Sequence, residues 1–183
     1  MIIKILGIGQ SIRGDDEVGL EIVQRWRDSH GTDYPEYSIE AETAESPGLS
    51  LLGLIAGLDA AILVDAVLSG APPGTLHKLA EEDLLDFGEG TGSAHGWGTA
   101  ETLSLGRQLA PEDLPESIFV IGVEAVQFEL GEGLSPAVEA SIPRAVEMIN
   151  EILEDILESG KKGLFDKIIR LLRMLRNFAG YVR

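Results

Sequence analysis

Ala61-Ile62-Leu63-Val64-Asp65-Ala66-Val67 is apolar at every position but one. Such a run reads as a strand buried on both faces, the kind found inside a parallel sheet. Its single acid stands near the carboxyl end. An ionised acid in a Val/Ile-rich strand is costly unless it is paired or exposed at the strand end. Working outward, Ile2–Leu6 is a second apolar run, and it stops at the turn Gly7-Ile8-Gly9. Asp15-Asp16 then precede Val18, Ile22, Val23 and Trp26 at helical spacing. Asp15 is a candidate N-cap for that helix, and acids suit a helix N-terminus.

The same alternation continues along the chain. Tyr37–Ala41 alternates as a strand, and Pro47–Leu54 opens a helix with proline in its first turn. Gly74–Leu79 reads as a fourth strand at an edge. Residues 86–98 (DFGEGTGSAHGWG) form a glycine-rich loop, and Thr99–Leu109 is helical. Ser117–Val123 is the last strand. Ser135–Leu157 is a long helix with Val138, Ile142, Ala145, Ile149, Ile152 and Ile156 on one face. Strands alternating with helices predict an α/β fold. The expected form is a three-layer αβα sandwich, phosphorylase/hydrolase-like, around a mostly parallel twisted sheet of about five strands. A chain of 183 residues suits one such domain, placed at residues 1–158.

Composition narrows the function. Cysteine is absent, which removes disulfides, thiolate metal sites and a cysteine nucleophile and agrees with a reducing compartment. The amino terminus lacks the features of a signal peptide, and no apolar stretch approaches the ~20 residues of a membrane span. Together these predict a cytoplasmic protein. The net charge of −17 is unevenly spread. Residues 161–183 carry seven Lys or Arg against Asp166 alone, net +6, which leaves −23 for residues 1–160. So acidic a body repels phosphates and argues against nucleic acid as a partner.

In open α/β sheets, ligands bind outside the carboxyl ends of the strands. Asp16 follows the turn after the first strand, Asp65 ends the central strand, and His95 lies in the glycine-rich loop. Two carboxylates and one imidazole form a mixed set that suits borderline or hard divalent ions and leaves coordination positions open. Each residue also has a plainer reading: Asp16 as a helix-capping acid, Asp65 as a partner of a backbone turn, His95 as a loop histidine. His30 reads as a surface residue near a helix end and His77 as a strand residue, neither with an obvious partner. A dinucleotide fingerprint fails. Its third glycine would fall at Ile12, and Asp15 and Asp16 would repel a pyrophosphate. Neither a GxSxG elbow nor an HExxH or Walker A sequence occurs.

Several of these stretches, in this order, resemble the hydrogenase maturation proteases. They are Ile5-Leu6-Gly7-Ile8-Gly9-Gln10 with Gly14-Asp15-Asp16-Glu17-Val18-Gly19, Leu63-Val64-Asp65-Ala66-Val67 with Pro73-Gly74-Thr75, and Ser93-Ala94-His95-Gly96. Ile121-Gly122-Val123 and Gly133-Leu134-Ser135-Pro136-Ala137-Val138 complete the set. The resemblance spans about residues 1–157. Gln10 stands where the family usually has Asn, and Glu17 where Gly is common.

The resemblance implies an endopeptidase, of aspartyl type by its acids, that removes a C-terminal extension from the nickel-loaded precursor of a nickel-iron hydrogenase large subunit. By position, Asp16, Asp65 and His95 match the family's metal-binding residues, and they are the catalytic candidates too. The nickel would come with the substrate, with no permanent cofactor, and the enzyme would work as a monomer. A non-catalytic nickel-centre sensor or assembly chaperone using the same residues is the alternative. Residues 159–183 lie outside the resemblance. Leu164, Ile168, Leu171, Leu172, Leu175 and Phe178 alternate there with Lys167, Arg170, Arg173 and Arg176 at helical spacing. Such a basic amphipathic tail could pack on the acidic body, meet an anionic membrane or an acidic partner, or be an appended segment.

Overall fold

In the computed structural model the described residues are 1–30, 37–84, 87 and 98–179, those from 162 onward by backbone alone. Five strands form one sheet: β1 (Ile2–Gly9), β2 (Ser38–Glu45), β3 (Ala60–Val67), β4 (Leu76–Ala80) and β5 (Ser117–Glu124), in the order β2-β1-β3-β5-β4. β1 pairs in parallel with β2 and β3, and β3 in parallel with β5. Among the described residues only β4 runs antiparallel, at the edge. The Ala61–Val67 run is therefore the middle strand, and its residues Ala60–Val64 are buried.

Helices cover both faces, as in the expected αβα sandwich. α1 (Val18–Ser29) and α4 (Pro136–Ala179) pack on one side. There Ile22, Trp26, Ile142 and Ile149 meet Ile3, Ile5 and Val64. α2 (Ser50–Ile55) and α3 (Thr99–Leu109) cover the other, where Leu51 and Leu103 meet Leu6, Leu63 and Val120. Each such side chain taken from water contributes roughly 1.5–3 kcal/mol. The Trp26 indole N–H donates to Asn150 Oδ1 at 2.8 Å, and the His30 ring stacks on Trp26 with its Nε2 3.1 Å from Asn150 Nδ2. His30 thus has partners that sequence reading missed.

Element ends differ from expectation for local reasons. β1 runs on through Gly7-Ile8-Gly9, because pairing with β2 continues to Glu45. α2 begins at Ser50 rather than Pro47. Gly48 has φ +50°, outside the helical region, and Ser50 donates back to the Pro47 carbonyl. α4 continues past Leu157 to Ala179 as one helix. Beyond Pro143 it contains no further proline to stop it.

Three glycines let α1 lie on the sheet. A methyl group on Gly19 would overlap the carbonyl oxygens of Ile8 and Val64. One on Gly7 would overlap the Gly19 carbonyl, and one on Gly9 the Asp16 carbonyl. Helix backbone thus touches strand backbone, which only residues without a side chain permit. Gly53, inside α2, has open space around it. We expect Gly19→Ala to cost about 3 kcal/mol or more in urea unfolding, as overpacking against rigid backbone does. Gly53→Ala should be neutral or stabilising by about 0.5 kcal/mol. Equal effects would show that the contact at Gly19 is not tight.

Candidate functional site

The loop between β1 and α1 is built around a buried acid. A 3-10 turn, Gly14–Glu17, leads into α1. Asp15 within it is fully buried. Its carboxylate accepts hydrogen bonds from the amides of Val126 (2.9 Å), Gln127 (3.1 Å) and Ser135 (2.6 Å) and from the Ser135 hydroxyl (3.0 Å). Asp15 is therefore not the N-cap of α1. The N-cap is Glu17, without a side-chain cap. Asp15 instead clamps the β1–α1 loop to the loop between β5 and α4. Backbone bonds reinforce the clamp, from Gly14 to the Glu132 carbonyl (3.1 Å) and from Gly131 to the Ile12 carbonyl (2.8 Å). Gly14 has φ +58° there, and a Cβ would crowd the Gln127 carbonyl.

Asp16 follows directly and is 7% exposed. It lies within electrostatic reach of Asp65 at the carboxyl end of β3. The two acids that sequence analysis placed at neighbouring strand ends are thus brought together. Thr99, the first residue of α3, donates its hydroxyl to Asp65 Oδ2 at 2.7 Å. Burial, first of all, pushes the Asp65 carboxyl up from its ordinary 3.8 to about 7. The Asp16 charge adds to that rise, while the Thr99 hydroxyl and the Ala66 amide oppose it. An acid that titrates near neutrality can take or give a proton at working pH. His95 lies outside the described residues. Among the described residues no three acids or histidines are grouped to hold a metal ion. Asp16 and Asp65 offer two hard oxygen donors, a partial set that suits a divalent ion bringing other ligands of its own.

Beside this pair stands a second polar cluster. Asp65 and His77 both sit opposite Gly122, on β3 and β4, so all three share one row of the sheet. His77 Nε2 lies 3.3 Å from Glu124 Oε2. Glu124 is 2% exposed and also accepts from the Ser69 amide (2.9 Å), the Ser69 hydroxyl (2.6 Å) and the Gly70 amide (2.9 Å). Burial works against its charge, but these donors outweigh it and hold the carboxyl below its usual value. His77 thus has a definite partner, contrary to expectation. Sequence spacing gave no signal for Thr99, Ser69 or Glu124, because each meets its partner through the tertiary fold.

Comparison with known proteins fits this fold. A model of the hydrogenase maturation protease family matches residues 44–152. The chain is 31% identical over 165 residues to the hydrogenase 2 maturation protease of Escherichia coli K12, covering 90% of this chain and 96% of that one. The solved hydrogenase maturating endopeptidase HybD of E. coli superposes with a TM-score of 0.72 at 29% identity, over 85% of this chain and 93% of that one. The crystal structure of the [NiFe] hydrogenase maturation protease HycI of Thermococcus kodakarensis KOD1 gives 0.64 at 27% identity, over 83% and 92%.

The Asp65 shift has a consequence for stability. Its carboxyl keeps a proton up to about pH 7 in the folded chain, against an ordinary value of 3.8. Its contribution is therefore fully present below the lower value and lost as pH rises through the upper one. We expect Asp65→Asn to be more stable than the parent at pH 8, by on the order of 2 kcal/mol. The gap should close below pH 4. Urea unfolding at the two pH values measures it, and a gap independent of pH would show that Asp65 is not shifted.

Proposed function

Because the chain belongs to the hydrogenase maturation protease family, and is accordingly a peptidase, we propose that it trims the nickel-loaded precursor of a nickel-iron hydrogenase large subunit. It removes a C-terminal extension and reads the metal through Asp16, Asp65 and His95. The observation that supports this most directly is the meeting of Asp16 and Asp65 at the strand ends, with Asp65 titrating near neutrality.

In this reading the nickel belongs to the substrate. Asp16, Asp65 and His95 meet it with two carboxylate oxygens and an imidazole nitrogen. Where Asp16 and His95 hold the metal, Asp65 serves instead as general base, taking a proton from the attacking water and passing it to the leaving amine. The Thr99 hydroxyl holds the Asp65 carboxyl while it does so. The substrate's metal supplies Lewis-acid polarisation of the scissile carbonyl. The enzyme acts in the cytoplasm as a monomer. No helix among the described residues is long and apolar enough to cross a membrane. The basic stretch at residues 161–183 gives the chain a second contact, with an anionic membrane surface or an acidic partner.

Intact mass of the precursor after incubation tests the main reading. The nickel-loaded form should lose a C-terminal fragment, and the nickel-free form should not. Asp65→Asn should slow processing by roughly 10²–10⁴-fold, the range for loss of a general acid–base group. Asp16→Asn and His95→Ala should abolish it with the fold intact. Binding of the loaded precursor without cleavage would favour the sensor reading instead. For the tail, the full chain should float with vesicles containing anionic phosphatidylserine, and a chain ending at Gly160 should not. Equal flotation would exclude a membrane role.

A further inference from the structure

Among the described residues the large apolar side chains left in solvent are not scattered evenly. Ile12 (63% exposed), Leu49 (51%), Leu68 (38%), Val126 (57%) and Leu130 (73%) all follow the carboxyl ends of strands. They come from four different connections, those after β1, β2, β3 and β5. The remaining three, Met1, Ile2 and Leu109, lie at the opposite rim, where β1 begins and α3 ends. Single exposed apolar residues are ordinary. Here five, on four separate loops, share the strand-end face that carries Asp16 and Asp65.

Two features show what such a ring would take. First, the loops after β1 and β5, which carry Ile12, Val126 and Leu130, are fixed to each other in advance. The Ile12 carbonyl accepts from Gly131 at 2.8 Å, and Asp15 ties the Val126 and Gln127 amides to the β1–α1 loop. Backbone held this way loses little freedom on binding. Second, the centre is acidic. Asp16 and Asp65 stand at the same strand ends, next to Glu17 and to Glu45 at the end of β2, with Glu45 bound by the Ser11 hydroxyl at 3.0 Å. Apolar contacts around an anionic centre complement a surface with the reverse layout, apolar around a cation.

We infer that the ring formed by Ile12, Leu49, Leu68, Val126 and Leu130 is the docking surface for the folded body of the precursor. Its apolar side chains meet the ring while the cationic centre faces Asp16 and Asp65. This rests on the substrate reading above. It adds that the acids do not carry recognition alone: the ring holds the precursor and the acids act on what is held.

The test uses the full chain with Ile12→Ser and Leu130→Ser together, and Leu109→Ser as a control of equal exposure on the opposite rim. Both the binding and the cleavage of the nickel-loaded precursor are measured. The double variant should raise KM and weaken binding at least tenfold, with kcat and the thermal midpoint unchanged. Leu109→Ser should behave as the parent. Unchanged binding, or a fall in kcat at constant KM, would overturn the docking role. So would parent dimers that the double variant dissolves, since the ring would then face a second copy of this chain. If the parent binds the precursor without cutting it and the double variant loses that binding, the ring stands and the peptidase assignment to this substrate falls. If the parent does neither, both fall.

Discussion

Direct contact between helix backbone and strand backbone is the constraint on which the site depends. Gly7, Gly9 and Gly19 bring the first turn of α1 against the carbonyls of β1 and β3, closer than any side chain would allow. The segment from Gln10 to Glu17 must then turn back sharply over the strand ends. That places Asp16 over the end of β3 rather than out in solvent. With side chains at these positions the helix would ride higher, and the two acids would separate. The same glycines that imitate a dinucleotide fingerprint thus serve a different end, the approach of a helix carrying acids.

Three buried or half-buried carboxylates at this edge differ in how their charge is met, and counting donors decides which effect wins. Asp15 has three amides and a hydroxyl, and Glu124 has two amides, a hydroxyl and His77. Asp65 has one hydroxyl and one amide, with Asp16 as a like-charged neighbour. Donors prevail at Glu124 and burial prevails at Asp65, and the two carboxyls shift in opposite directions. Glu124 is a fixed support for the turn at Ser69 and Gly70. Asp65 is left poised near neutrality, the state proton transfer requires.

Hydrophobic periodicity made the strands, the helices and the parallel layering legible, because each depends on neighbours close in sequence. Asp65 was legible too, as a lone acid in a run that otherwise excludes water. Asp15 was not. A buried acid at the start of a helix looks the same in sequence whether it caps that helix or reaches a loop 120 residues away. The pairing of His77 with Glu124 escaped for the same reason, since it follows from antiparallel register at the sheet edge. The continuation of α4 was hidden by Gly160 and Gly163, which read as punctuation but are tolerated within a helix. His95 was named from its glycine-rich surroundings and from resemblance, and it lies outside the described residues.

The reach of Asp15 also governs when the protein can work. Its partners Val126, Gln127 and Ser135 come late in the chain, and β3, the central strand, completes its pairing only with β5. While a ribosome is still making the first hundred residues, Asp15 has none of its amide partners and the loop bearing Asp16 lacks its tie to the loop after β5. A domain so dependent on distant pairings assembles late and cooperatively. The nascent chain therefore carries a hydrolase that stays unassembled until nearly all of its core has been synthesised.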